Sequence, residues 1–218
     1  KLKHQRIDNV IMEASSHGLK QNRLDGLKFN SGIFTNLSQD HLDYHKNLND
    51  YLNAKLYLFR NLIKKKGNII TDDKIPEFRT INKIAKKKRL KIITLNDKKN
   101  NFRVLSHTFK GEIQLLKIIY NNSIREINLN LIGKIQLKNI LMAIFAAKKN
   151  INLKKIFDII EKIKPVEGRF EKIGKIKNKS KIILDYAHTP EALKTCLLNL
   201  REQFPDKKLC LLFGCGGN

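Results

Sequence analysis

The stretch NIITDDKIPEFRTINKIAKKKRLKIITL, residues 68–95, has a short apolar run at each end and a helical pattern between them. The runs NIIT and KIITL have the length of buried strands and are rich in β-branched isoleucine. Apolar residues recur every three or four positions over residues 76–89, which is the spacing of an amphipathic helix. Strand, helix and strand in this order predict a βαβ unit and therefore a parallel sheet.

The residues before this unit continue the same alternation. Short buried strands are predicted at 9–14 (NVIMEA) and 31–37 (SGIFTNL), and a helix is predicted at 49–66. The pattern changes after the unit, because Gly111 and Asn121–Asn122 punctuate three strand-like runs that predict an antiparallel meander. The further elements are strands at 102–109, 112–120 and 124–132, then helices at 135–149 and 152–164.

A second domain is predicted from a new strand and helix near the end of the sequence. Residues 181–186 form the strand, and Thr189-Pro190 opens a helix with a capping residue and a proline in the first turn. A further strand is predicted at 208–213. We expect α/β domains at 1–166 and 167–218, and the abrupt ends of the sequence suggest a fragment of a longer protein.

Composition excludes some classes and leaves others open. The 218 residues are 41% hydrophobic but contain no run long enough to span a membrane, and the three cysteines favour a reducing cytoplasm. The net charge of +24 suggests a polyanionic partner, yet the lysines are scattered rather than clustered. A basic nucleic-acid-binding module therefore remains an alternative to compositional bias or a phosphorylated substrate.

Polar residues follow the two predicted N-terminal strands. Glu13 ends the first, and Asp40 and His41 follow the second. Because parallel strands end at one edge of a sheet, a carboxylate and an imidazole there would suit Mg²⁺ beside a substrate phosphate. A zinc site on His41 and His45 is an alternative, although Leu42 stands where the HExxH pattern needs glutamate and His45 alone suits a surface histidine.

Lys55 lies on the apolar stripe of its predicted helix, three residues after Leu52 and four before Phe59. The lysine either extends its ammonium past the edge of the stripe or sits in a partly desolvated site. Desolvation disfavours the charged form and makes the amine available for covalent modification.

The second domain repeats the arrangement of acid and imidazole at a strand end. Asp185 and His188 stand where strand 181–186 gives way to a helix N-terminus, a place suited to phosphate. The glycine turn at 213–217 matches neither GxxxxGK[ST] nor GxGxxG, so the sequence contains no complete phosphate-binding loop.

The order of several motifs resembles the Mur ligases over essentially the whole chain. They are EASSHGLKQNRLDGLKF, FTNLSQDHLDYHKNLNDYLNAK, GKIQLKNILMAIFAA, VEGRFE, LDYAHTPEAL and LLFGCGGN. The most specific are DYAHTP and DHLDYH with its lysine fourteen residues after the first histidine. The resemblance implies a parallel-sheet ATPase-like central domain with an antiparallel addition, followed by the start of a Rossmann-like domain.

The resemblance is greatest to members that add the third residue of the peptidoglycan stem peptide. It implies an ATP- and Mg²⁺-dependent, cytoplasmic and monomeric enzyme that binds neither nucleic acid nor membrane. Its substrates would be ATP, UDP-N-acetylmuramoyl-L-alanyl-D-glutamate and an amino acid, diaminopimelate or lysine. The reaction would pass through an acyl phosphate.

The resemblance also implies roles for individual residues. Glu13 and His41 match magnesium ligands, and Lys55 matches a carbamylated lysine that helps to hold the metal. Further matches are Ser15, Gln21 and Arg23 for the UDP-muramoyl dipeptide, and Asn139, Arg169, Asp185 and His188 for the nucleotide.

One position departs from the family pattern, because Gln136 stands where relatives often carry asparagine. The ATP loop is expected upstream of residue 1 and the amino-acid selectivity motif downstream of residue 218. Residues 1–218 alone are therefore expected to be inactive.

Overall fold

The computed structural model describes residues 7–97, 102–120, 122–147, 153–176 and 180–214. The helices in these ranges are α1 (Ser16–Lys20), α2 (Leu48–Tyr57), α3 (Phe78–Lys88), α4 (Lys134–Ala147), α5 (Leu153–Ile160) and α6 (Pro190–Gln203). The strands are β1 (Phe29–Phe34), β2 (Ile63–Thr71), β3 (Lys91–Thr94), β4 (Phe102–Lys110), β5 (Ile113–Tyr120), β6 (Ser123–Leu129), β7 (Glu171–Lys175) and β8 (Lys181–Leu184). The last three residues of the glycine turn, Cys215 among them, lie outside the described residues.

The first sheet has the order β1-β2-β3 and contains the strands of the predicted βαβ unit. The side chain of Asn68 bonds to Ser31 and that of Thr71 bonds to the carbonyl of Phe34, so both pairs are separated by 37 residues. A constant separation is the mark of strands that run in the same direction. The α/β class predicted from residues 68–95 is confirmed.

The second sheet is the predicted antiparallel meander. β5 pairs with β4 on one side and with β6 on the other. Gly111 makes the first turn with φ 62°, a conformation that glycine adopts without steric cost. The inner face of this sheet packs on α4 and α5 in one apolar core, whose most buried members include Ile118 and Leu129.

Two of the predicted strands are wrong. Residues 9–14 and 208–213 have no regular structure, and most of their apolar side chains are exposed, fully so for Ile11 and Leu212. A strand needs ladder hydrogen bonds to a neighbour, and neither segment pairs with any strand in the described ranges. Apolar pattern alone therefore misled the prediction at both places.

The predicted helix at 49–66 ends earlier than its sequence suggests. α2 runs into a single π-helical turn at Leu58–Leu62, and Ile63 then adopts extended backbone. The lysines at 64–66 belong to β2, not to the helix. β2 pairs with β1, and the two backbones approach closely, because a Cβ on Gly67 would lie 2.9 Å from the carbonyl oxygen of Asn30.

Of the C-terminal elements, α6 was predicted from the sequence and β7 was not. The α6 helix begins as predicted, with the Thr189 hydroxyl accepting from the backbone N–H of Ala192 and proline in the first turn. β8 pairs with β7, an antiparallel strand that lacks a clear apolar alternation. Because residues 208–213 are not a strand, the expected βαβ unit is not completed among the residues described.

The chain divides into two compact units, each built from discontinuous segments. The first comprises Lys1–Gly32, His41–Ile69 and Arg79–Lys91, and the remaining residues form the second. The domain boundary near residues 165–168 stays a prediction. In the described part of the chain, each helix is too short or too polar to cross a membrane.

Candidate functional site

The residues expected to bind the muramoyl substrate lie in and beside a short helix. Ser15 caps α1, and its Oγ accepts a hydrogen bond of 3.1 Å from the backbone N–H of Gly18. Ser16, Gly18 and Leu19 of this helix are buried. Serine is a preferred N-cap residue, and its side chain here accepts from the backbone N–H three residues later. The sequence therefore did contain a signal for the start of this helix.

This helix is held to the segment that follows β1. Gln21 Nε2 donates to the hydroxyl of Tyr44 over 3.0 Å, and Lys20 forms an ion pair with Asp50 of α2. Arg23 is exposed, and its backbone N–H closes the turn onto the carbonyl of Gly18. We call residues Ser15–Arg23 the substrate turn.

His41 and Lys55 meet at the ring of Tyr51. The His41 ring centroid lies 5.9 Å from that of Tyr51, and the Lys55 ammonium lies 4.8 Å from the same ring. Tyr51 is buried in α2, whereas Lys55 is half-buried, as its place on the apolar stripe predicted. Two of the three proposed metal residues are therefore brought to one side chain that the sequence analysis had not singled out.

His41 itself adopts an unusual backbone. Its φ is 55°, in the left-handed region where residues other than glycine are strained, and its carbonyl accepts from the N–H groups of Tyr44 and His45. This turn brings the rings of His41 and His17 within 4.9 Å. Glu13, the third proposed metal residue, lies in the exposed segment before α1.

His45 is not the surface histidine that the sequence suggested. It is 1% exposed, its Nε2 lies 2.9 Å from Ser16 Oγ, and its ring stacks on Tyr51 at 5.0 Å. Its Nε2 is thus engaged by Ser16, and its Nδ1 lies 3.5 Å from Asp50 Oδ2. Among the described residues, no three His, Cys, Asp or Glu side chains are grouped to hold a metal.

Burial lowers the pKa of His45 below its usual value, and the nearby Lys20 ammonium lowers it further. Burial also lowers the pKa of His107, which bonds to Gln114 in the meander. The unfolded chain therefore binds more protons than the folded chain below about pH 6.5.

We expect the free energy of unfolding to be fully retained above about pH 6.5 and to fall as the pH is lowered to about 5.5. Urea titrations at both pH values measure this. The variant His45→Gln lacks one titrating group, so its free energy of unfolding should fall less between the two pH values. His107→Gln should reduce the fall by a separate amount. An unchanged loss in both variants would show that other groups cause it.

A second group of predicted residues gathers around Tyr186. The carboxylate of Asp185 accepts from the backbone N–H groups of Phe170 and Ala187, each over 3.0 Å. The Arg169 guanidinium lies 4.7 Å from the Tyr186 ring, and His188 Nδ1 lies 3.0 Å from the Tyr186 carbonyl. Arg169, Asp185 and His188 are thus neighbours around Tyr186.

The helix α4 places its own residues near this group. Gln136, which stands where relatives often carry asparagine, donates from Nε2 to the carbonyl of Arg169 over 3.3 Å. Asn139 is exposed and lies about one turn further along the helix. Lys138 forms an ion pair of 2.8 Å with Asp72, which is 2% exposed just after β2. This ion pair connects α4 with the end of β2. Its partners lie 66 residues apart, so nothing in the sequence indicated it.

Comparisons with known proteins give the chain a family. Residues 1–147 match the Mur ligase middle domain, and residues 168–218 match the Mur ligase, glutamate ligase domain. The chain is 37% identical to the UDP-N-acetylmuramoyl-L-alanyl-D-glutamate--2,6-diaminopimelate ligase of Rickettsia bellii, with all of this chain and 45% of that protein aligned.

Solved structures agree with this match. A structure of a UDP-N-acetylmuramoyl-L-alanyl-D-glutamate--2,6-diaminopimelate ligase superposes with a TM-score of 0.69 at 28% identity, over 88% of this chain and 39% of the other. The MurF ligase of Thermotoga maritima, solved with ADP, has a TM-score of 0.66 over 87% and 42% of the two chains; at 15% identity it supports the fold alone. The chain spans about 45% of the length of the curated relative given above. On the match of the middle-domain model to residues 1–147, the chain belongs to the Mur ligase family.

Proposed function

We propose that the chain forms part of an ATP-dependent ligase that joins meso-diaminopimelate to UDP-N-acetylmuramoyl-L-alanyl-D-glutamate in peptidoglycan synthesis. The observation that carries the proposal is the meeting of His41 and Lys55 at Tyr51. Relatives at 35–37% identity bear this activity in their names, which favours diaminopimelate over lysine as the amino acid. We propose a cytoplasmic monomer as the working form.

The reaction has two steps whose atoms balance. The substrate carboxylate attacks the terminal phosphorus of ATP, giving an acyl phosphate and ADP. The amine of the amino acid then attacks the acyl carbon, loses a proton, and releases inorganic phosphate as the amide forms. Both steps bring anions together, so they need positive charge and fixed positions.

His41 and Lys55 at Tyr51, together with Glu13 from the segment before α1, suit a magnesium ion by their chemistry. Carbamylation turns the Lys55 amine into an oxygen donor, so Glu13, His41 and Lys55 would supply two oxygen ligands and one nitrogen. Mg²⁺ prefers oxygen and keeps several waters, and when bound it would neutralise phosphate oxygens. His45 is left out of this set, because its Nε2 bonds to Ser16 and its Nδ1 lies 3.5 Å from Asp50 Oδ2.

The remaining roles are proposed from exposure and position. Ser15, Gln21 and Arg23 would bind the UDP-muramoyl dipeptide, because they lie together on the substrate turn and Gln21 and Arg23 present exposed polar groups. Asn139, Arg169, Asp185 and His188 would face the nucleotide. Arg169 supplies the fixed cation of this group, since a guanidinium is always charged.

A chimera tests the proposal. Residues 1–218 replace the matching segment of the Rickettsia bellii ligase, and phosphate release and the amide product are measured. We expect release to require Mg²⁺, the UDP-muramoyl dipeptide and diaminopimelate, and to fall when lysine replaces diaminopimelate. A folded chimera that releases no phosphate would contradict the proposal. Tight duplex DNA binding by residues 1–218 with a steep salt dependence would instead favour a basic nucleic-acid-binding module.

A further inference from the structure

His45 is a polar side chain in an almost fully buried position. Only 1% of it is exposed, and its hydrogen-bond partner Ser16 is 4% exposed. Its second nitrogen, Nδ1, makes no hydrogen bond to any described residue and lies 3.5 Å from Asp50 Oδ2. Burying a polar group with one unsatisfied atom costs free energy, so packing alone would favour an apolar ring at this position.

The two contacts of His45 join two parts of the proposed site. Ser16 directly follows Ser15 and is the first residue of α1, so it belongs to the substrate turn. Tyr51, on which the imidazole stacks at an angle of 25°, also contacts His41 and Lys55. His45 thus links the substrate turn to the ring that carries the proposed metal residues, and His17 of the same turn contacts His41 directly at 4.9 Å.

The other polar links between these parts are more exposed to solvent than the bond between His45 and Ser16. The bond from Gln21 to Tyr44 is exposed, and the ion pair of Lys20 with Asp50 has side chains about one-third exposed. Exposed polar contacts contribute little because water competes for both partners. The bond between His45 and Ser16 is the buried one, so it should determine the position of the turn most strongly.

We propose that His45 is a positioning residue, which holds the substrate turn against Tyr51 through its hydrogen bond to Ser16. It acts through Ser16 and does not itself touch substrate. The inference rests on the proposed function for the identity of that substrate, but the hydrogen bond and its effect on the turn can be tested without substrate.

The first experiment measures amide hydrogen exchange in the chain itself. His45→Phe keeps an aromatic ring on Tyr51 but removes the hydrogen bond, whereas His45→Gln can restore it, because a glutamine amide reaches about as far as Nε2. We expect exchange at Gly18 and Leu19 to quicken by roughly fivefold or more in His45→Phe and to stay near the wild-type rate in His45→Gln.

The matched control is His107→Phe, which removes another histidine bond, the partly buried one to Gln114 in the meander. It should leave exchange at Gly18 and Leu19 unchanged even where it lowers stability. Unchanged exchange at these two amides in His45→Phe, or equal acceleration in the control, would overturn the inference.

The second experiment uses the chimera and measures the KM for UDP-N-acetylmuramoyl-L-alanyl-D-glutamate. We expect His45→Phe to raise this KM by roughly fivefold with kcat changed less than about twofold, and His45→Gln to restore it. A loss of kcat at constant KM would contradict a positioning role. A wild-type chimera without activity would count against the proposed function, and the exchange result would then decide the inference.

Discussion

Replacing Lys55 by alanine in the chimera should lower kcat/KM for ligation by at least about a hundredfold. The variant lacks the amine that forms the carbamate, so added bicarbonate should restore nothing. Lys55→Arg should be as inactive, because a guanidinium keeps the positive charge and forms no carbamate. Lys55→Glu should recover a small part of the rate, because it returns a carboxylate to the same helix face.

The matched control is Lys65→Ala, which removes an exposed lysine of β2. It should keep the wild-type rate, which separates the loss of one particular amine from the loss of one positive charge. An active Lys55→Ala chimera would refute the carbamate role.

Replacing Gly67 by alanine should destabilise the chain by about 1–3 kcal/mol, and so lower Tm by roughly 2–10 °C. A Cβ there would lie 2.6 Å from Ile63 Cγ2, 2.8 Å from the Lys64 carbonyl oxygen and 2.9 Å from that of Asn30. The Asn30 oxygen belongs to β1 and the other two atoms to β2 itself, so relief requires β1 to move away and the start of β2 to change its backbone. Calorimetry of the variant measures the change.

Gly174→Ala is the control for this variant. Gly174 also lies in a strand, but nothing stands within 4 Å of a Cβ placed there. Its replacement should change Tm little. Equal effects at the two glycines would show that strand propensity, not the approach of β1 to β2, determines the loss.

The sequence predicted correctly those elements whose apolar pattern is matched by a packing partner in the fold. Residues 68–95 form the strand, helix and strand that were expected, because isoleucines at both strands are buried in the structure. The meander was predicted because Gly111 marks its first turn. The segments at 9–14 and 208–213 failed, since an apolar run becomes a strand only beside a partner strand.

Of the candidate site, the sequence drew attention to Lys55 but not to the contacts that surround it. Lys55 was detectable because a lysine on an apolar stripe is unusual, and the structure places it half-buried at Tyr51. Tyr51 was missed, and His45 was considered only as a zinc ligand or a surface histidine, because a tyrosine in a helix and a histidine in a loop do not by themselves reveal their contacts. The role proposed for His45 comes from Ser16, which lies 29 residues away in the sequence.

The chemistry of Tyr51 bears directly on carbamate formation. Its ring attracts the Lys55 ammonium, which stabilises the charged amine in the absence of metal. The carbamate is an anion and loses this attraction, so it should accumulate only where Mg²⁺ offsets the change. Carbamylation of Lys55 should therefore depend on magnesium.

The ¹³C NMR spectrum of the chain in labelled bicarbonate tests the central claim most directly. With Mg²⁺ present, we predict a carbamate carbonyl resonance in the wild-type chain that is absent from Lys55→Ala and unchanged in Lys65→Ala. A wild-type spectrum identical to that of Lys55→Ala, with magnesium present, would contradict the account.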